Sequence, residues 1–298
     1  MGGEYGASAT YLSEMASRDR RGFWSGVFYS TLMSGQLMAL FLLLALTAIL
    51  PAEQMNAWGW RVAFLIGALL ATVVLLMRRG MDETPSFKAR DNSRTATWRL
   101  ISDHPRETLM VFGLTAGGTL AYYTFGTYMQ KFLVNTSGFS RDQSNLITTA
   151  ALAAFILMQP LAGALSDRFG RRTLLLGFGV GGVIMTWPVL STLAVTQEPL
   201  TAFLLVLGSL AVVSGYTSVS AIVKAEMFPT EIRALGVALP YAIANALFGG
   251  SAEFIALSFK KAGFEPGFYV YVTAVIGVSL VTYLLMPETR RTSRIIEA

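Results

Sequence analysis

Gly163-Ala164-Leu165-Ser166-Asp167-Arg168-Phe169-Gly170-Arg171-Arg172 is a charged knot between two long uncharged runs, residues 143–166 and 173–197. Each run holds the ~20 largely apolar residues that a helix needs to cross a bilayer. The knot therefore reads as a tight turn at a membrane face. Arg168, Arg171 and Arg172 put that face on the cytoplasmic side. Gly163 and Asp167 stand four apart and share one helix face. Gly163 lets a neighbouring helix come close, and Asp167 is placed to face that neighbour's positive N-terminus.

Working outward, further uncharged runs cover residues 23–52, 60–77 (apart from Arg61), 108–130, 199–223, 234–252 (continuing past Glu253 to 259) and 266–287. With the pair around the knot they predict eight membrane spans. Residues 1–15, with Gly3, Gly6, Ala7, Ser8 and Ala9, read as the tail of a further helix that packs in lipid through small residues. Basic residues crowd into alternate connections. These hold Arg18, Arg20 and Arg21; Arg78, Arg79, Lys88, Arg90, Arg94, Arg99 and Arg106; Arg168, Arg171 and Arg172; Lys224 and Arg233; and Arg290, Arg291 and Arg294. Only Arg61, Lys131, Arg141, Lys260 and Lys261 fall elsewhere, and this bias places the C-terminus in the cytoplasm.

Composition agrees. The 298 residues are 53% hydrophobic and 14% charged, with a mean hydropathy of +0.53, whereas soluble domains carry about 25% charged residues. The net charge of +5 sits at span ends, so topology explains it and a nucleic-acid partner is not expected. The chain has no cysteine, hence no disulfide or thiolate metal site. It shows no Gly-x-Ser-x-Gly and no His-Glu-x-x-His, and its one histidine, His104, falls in a connection, which argues against an intramembrane enzyme. No cofactor is implied. Met1-Gly2-Gly3-Glu4 has no basic stretch ahead of an apolar one, so no cleavable signal peptide is expected.

The longest connection carries Pro85, Pro105 and His104 and reads as a linker between two helical bundles. This divides the chain into the remainder of a first bundle (1–77), a cytoplasmic linker (78–107) and a six-helix second bundle (108–298). A parallel repeat supports the division. Glu14-Met15 with Arg21 matches Glu226-Met227 with Arg233, and Gly3/Gly215, Ser8/Ser220 and Ala9/Ala221 keep the same offset of 212. By that offset, partners of the spans beginning near Thr108 would start before residue 1, and about three and a half helices are expected to be missing in front.

The pattern Gly-x-x-x-Asp-Arg-x-Gly-Arg-Arg resembles the loop signature of the major facilitator superfamily. Several stretches are similar to its metabolite:H⁺ symporter branch: Gly2-Gly3-Glu4-Tyr5-Gly6 leading to Ser13-Glu14, Trp58-Gly59-Trp60-Arg61, Asp82-Glu83-Thr84 and the run from Tyr122 to Lys131. Ala225-Glu226-Met227-Phe228-Pro229 through Arg233-Ala234-Leu235-Gly236, and the run from Asn245 to Glu253, extend the likeness over nearly the whole chain. The resemblance implies an all-α polytopic membrane protein with a major facilitator fold, a monomer that imports a dicarboxylate with H⁺ across a bacterial inner membrane. Sister solutes, such as citrate, shikimate or a betaine, and a remnant that does not transport are the alternatives.

Charged groups inside apolar spans are costly and become functional candidates. Arg61 offers a planar fork to a substrate carboxylate, and it equally suits snorkelling to the interface beside Trp60. Lys131 ends its span on the same side. Tyr122, Tyr123, Tyr128 and Gln130 form a polar-aromatic stripe that suits either a keto acid or interhelical hydrogen bonds. Gln36, Tyr241 and Asn245 join them as cavity candidates. Glu253, read as lying deep in its span, and Glu4 are the candidates for proton coupling. Gly163, Asp167, Arg168, Gly170, Arg171 and Arg172, with Glu14, Arg21, Glu226 and Arg233, are expected to form ion pairs at the cytoplasmic face that gate the carrier.

Overall fold

The computed structural model describes residues 2–78 and 96–295. Most of the sequence-read linker, with Arg79, Lys88, Arg90, Arg94 and Asp82-Glu83-Thr84, lies outside the described residues. The elements are α1 (Gly2–Met15), α2 (Arg21–Ile49), α3 (Trp60–Arg78), reached through a π-turn at Met55–Gly59, and a short α4 (Ala96–Asp103). Helix α5 (residues 105–135) is built of Pro105–Tyr122, a π-turn Tyr123–Tyr128 and Met129–Asn135. Then come α6 (Arg141–Phe169), α7 (Arg171–Val195), α8 (Pro199–Met227), α9 (Arg233–Lys261, with a π-turn at Asn245–Gly249) and α10 (Pro266–Leu285). Among the described residues there is no strand.

Among the described residues seven helices are long and apolar enough to cross a membrane: α2, the one ending at Met77, and α6 to α10 with Pro199–Met227 as one span. The eighth expected span, α5, is not among the seven. Val111 and every residue from Leu114 to Tyr122 are buried. A helix walled by other helices meets little lipid, so it can carry Thr115, Gly117, Gly118 and Thr119 where an outer helix carries leucine. The outer faces display large apolar side chains, among them Leu157 at 72% exposure, Ile184 at 69% and Phe254 at 74%. Water would disfavour such a surface, and acyl chains suit it.

Helices α5 to α10 pack on one another, with α10 lying between α5 and α7 and α8 between α6 and α7. From the other part of the chain, α2 runs along α6 and α1 along α9 and α8. Helix α6 opens on a capping box, in which Ser140 Oγ accepts from Gln143 N–H and Gln143 Oε1 from Ser140 N–H. Lipid offers no hydrophobic drive for one helix to join another, so close packing must do it. On α2 the i, i+4 row Gly22, Gly26, Ser30 supplies this. A Cβ added at Gly26 would lie 2.2 Å from the Gln159 carbonyl oxygen, and Ser30 Oγ donates to the Ile156 carbonyl at 2.8 Å.

Gly26→Ala should therefore lower the melting temperature of the detergent-solubilised protein, because overpacking costs about 1–3 kcal/mol. Gly35→Ala, on the same helix with nothing within 4 Å, should leave it unchanged or raise it. Equal melting temperatures for the two variants would show that α2 and α6 do not approach this closely.

Candidate functional site

The knot at the α6–α7 turn is a clasp. Gly22 N–H donates to Asp167 Oδ1 and Phe23 N–H to Oδ2, both at 2.8 Å. One carboxylate thus satisfies two free amides at the N-terminus of α2 and meets its dipole. It can come so near because Gly22 and Gly163 touch backbone to backbone: a Cβ on Gly163 would lie 2.2 Å from the Gly22 carbonyl oxygen. Arg171 is completely buried and binds Asp167 Oδ1 and Ser166 Oγ through Nη1, both at 2.7 Å. Its Nη2 stands 3.9 Å from Glu226 Oε1, while Nε and Nη2 close no hydrogen bond.

A second carboxylate caps α7. Glu288 accepts from Arg171 N–H at 2.8 Å and Arg172 N–H at 3.0 Å. Gly170 turns the chain with φ +98°, where a side chain would be strained. Arg172 then reaches the last carbonyls of α10, with Nε to Tyr283 O at 3.0 Å and Nη2 to Leu284 O at 2.6 Å. Arg168 stays exposed over the Phe169 ring, 5.4 Å away.

Glu226 and Arg233, expected to work together at this face, take separate partners. Arg233, buried on α9, pairs instead with Glu14 on α1 and also donates to Ala225 O, Phe228 O and Arg294 O. Glu226 accepts from Thr289 Oγ1 at 2.6 Å and lies in the field of Arg171 and Arg21. Glu14–Arg233 thus joins α1 to α9, whereas Glu226 and Arg171 meet within the α5–α10 group. Glu288, Thr289 and Arg294 were missed; the acid and base in Pro287-Glu288-Thr289-Arg290 were their only signal.

The cavity candidates separate. Tyr122 Oη donates to Gln36 Oε1 at 2.8 Å, joining α5 to α2, and Tyr123 packs edge-on against Tyr122. Tyr241 stacks on Tyr5 with ring centroids 3.9 Å apart, and Asn245, half-buried, starts the α9 π-turn. The π-turn in α5 breaks the expected stripe. At its end Tyr128 packs on Phe132 and Phe268, and beyond it Gln130 bonds to Asn145, both inside the α5–α10 group. Arg61 is exposed on α3 with its guanidinium 5.1 Å from the Trp60 ring, and Glu4 is exposed on α1.

Two expectations need correction. Glu253 is not deep: its side chain is 39% exposed and ion-paired to Lys131, because it opens the final segment of α9 after the π-turn. Lys224 is not in a basic connection. It is completely buried within α8, where Nζ donates to Ser220 Oγ at 2.7 Å. Among the described residues no group of three His, Cys, Asp or Glu is placed to hold a metal ion.

Membrane-length helices clasped in this way have a family. Residues 1–97 and 86–294 match the family described as sugar (and other) transporter. The chain belongs to that family. It is 48% identical over 286 residues to the alpha-ketoglutarate permease of Escherichia coli (strain K12), covering 96% of this chain and 66% of that protein. It is 29% identical over 297 residues to the citrate-proton symporter of Klebsiella pneumoniae, covering 95% of this chain and 65% of that protein. Its fold is similar to that of the proton:xylose symporter XylE bound to 6-bromo-6-deoxy-D-glucose, with a TM-score of 0.71, 22% identity, and coverage of 95% of this chain and 67% of that one. The chain spans just under two thirds of the length of these two curated relatives.

Asp167→Asn removes the ion pair and sets an amide against an N–H, so the clasp should loosen. Because the chain has no cysteine, spin labels can be placed at Trp24→Cys and Leu165→Cys alone. Their dipolar broadening should weaken in the Asp167→Asn background while membrane insertion is unchanged. Identical spectra would refute the clasp.

Proposed function

We propose that the chain performs proton-coupled import of a dicarboxylate by alternating access, as a multi-pass inner-membrane protein whose basic end and C-terminus face the cytoplasm. The observation that carries this is the pair of bridges between helix groups at that one end, Asp167 to the start of α2 and Glu14 to Arg233. Lys131–Glu253 and Lys260–Glu265, by contrast, join helices within the α5–α10 group. A carrier held shut at its cytoplasmic end is open outward, and the bridges part as the groups rock. On this reading residues 1–77 are the remainder of one bundle, 78–107 the linker and 108–298 the second bundle.

Alpha-ketoglutarate and citrate, named in the two curated relatives, share the carboxylate that such a site must recognise. Tyr122, Gln36, Tyr123, Tyr241 and Asn245 line the passage between the groups and orient the solute. Glu253 is the proton-coupling candidate: protonating it frees the Lys131 ammonium for an incoming carboxylate. Arg61 serves as a first electrostatic contact at the outer edge.

Membrane vesicles from cells expressing the whole gene product should accumulate labelled α-ketoglutarate above equilibrium when the interior is alkaline, and a protonophore should abolish this. Uptake that ignores the protonophore would overturn the coupling. Uptake of citrate in preference would change the solute and leave the reading intact.

A further inference from the structure

Lys224 is the one fully buried lysine among the described residues. Its surroundings are assembled from both sides of the boundary between helix groups. Tyr5 comes from α1, Tyr216 and Ser220 from α8, and Tyr241 from α9. The ammonium lies 4.2 Å from the Tyr241 ring centroid, 5.2 Å from Tyr5 and 5.8 Å from Tyr216. It donates to Ser220 Oγ at 2.7 Å and approaches Tyr5 Oη at 3.4 Å. All of these neighbours are hydroxyls and ring faces; none is an anion.

A dry ammonium is costly unless an anion compensates it. Ring faces attract a cation but supply less than a carboxylate does through charge-assisted hydrogen bonds. A second group is unsatisfied beside it. The Tyr216 hydroxyl is buried among the hydroxyls of Ser220, Thr119 and Thr115 and closes no well-formed hydrogen bond with any of them. A cation without a counter-charge and a donor without a well-placed acceptor thus stand together in one buried cage. A carboxylate completes both.

We propose that Lys224, flanked by Tyr5, Tyr216, Tyr241 and Ser220, is the residue on which a substrate carboxylate docks. This rests on the transport reading above and deepens it. Tyr5, stacked on Tyr241 with rings inclined by 14°, belongs to α1 and is the removable wall. When α1 moves away from α8 and α9, the ammonium is uncovered and the solute takes the place of the tyrosine ring.

The test uses the whole gene product. α-Ketoglutarate should raise the melting temperature of the wild type in detergent, whereas its dimethyl ester should not. Lys224→Gln should abolish that stabilisation and raise the half-saturating concentration for uptake by about tenfold to a hundredfold, the scale of one charge-assisted hydrogen bond. Tyr216→Phe removes a hydroxyl that closes no well-formed hydrogen bond; it should keep the ligand-free melting temperature yet weaken stabilisation by α-ketoglutarate, and it decides the matter if Lys224→Gln does not fold. Wild-type behaviour in Tyr216→Phe and in any folded Lys224→Gln overturns the proposal alone. So does Lys224→Gln that loses uphill accumulation but keeps counterflow, since that assigns the lysine to the proton. A wild type stabilised by α-ketoglutarate but unable to accumulate it overturns the transport reading and leaves the anchor standing. A wild type unaffected by α-ketoglutarate, citrate or succinate overturns both.

Discussion

The Asp167 carboxylate, set against the first turn of α2, is the constraint on which the arrangement depends. A helix start in a membrane protein carries unpaired amides that water cannot easily reach. Here a carboxylate from another helix supplies the acceptors, and the glycine contact between Gly22 and Gly163 brings it within reach. The same carboxylate neutralises Arg171, which in turn stands near Glu226. One side chain thus ties together the starts of α2 and α7 and the end of α8. The network is also unsaturated, since two Arg171 nitrogens remain without hydrogen bonds. A saturated lattice would be rigid, whereas an incomplete one can exchange partners when the helix groups shift.

The crosswise ion pairs extend this logic. A repeat places equivalent acids and bases in two halves of a chain, but a pair within one half would brace only that half. Glu14 with Arg233, and Glu226 in the field of Arg21, put the attraction across the boundary between the helix groups. The packing of α2 on α6 is closest at the small residues Gly22, Gly26 and Ser30. The polar interior follows the same rule. Tyr122 with Gln36, and the cage around Lys224, lie where α1 and α2 meet α5, α8 and α9. Many large apolar side chains, such as Leu157, Ile184 and Phe254, lie exposed on the outer faces.

Much of this was legible in the chain. The span pattern and the motif at residues 163–172 carried the fold class, because a bilayer fixes the length of an apolar run and the sign of its flanking charges. The role of Asp167 could be read too, since a four-residue spacing defines a helix face. Lys224 could not. Two residues from Glu226 and near other charges, it passes for part of a basic connection, and only the path of α8 puts it between helices. Glu253 misled for the opposite reason: its apolar neighbours suggest depth, but the π-turn before it starts a segment that ends near solvent. The π-turn in α5 likewise sends Tyr122 and Tyr128 to different surroundings.

The sequence by itself determined that this chain is a row of apolar helices long enough to cross a membrane, and which helix starts are charged. These are properties of local runs, and the bilayer reads them one span at a time. Only the tertiary structure decided which acid meets which base, and which polar side chains face one another across the helix boundary. Those pairings join residues as much as 219 positions apart, as Glu14 and Arg233 or Tyr5 and Lys224 do. Helix-to-helix packing sets such distances, and no local spacing encodes them.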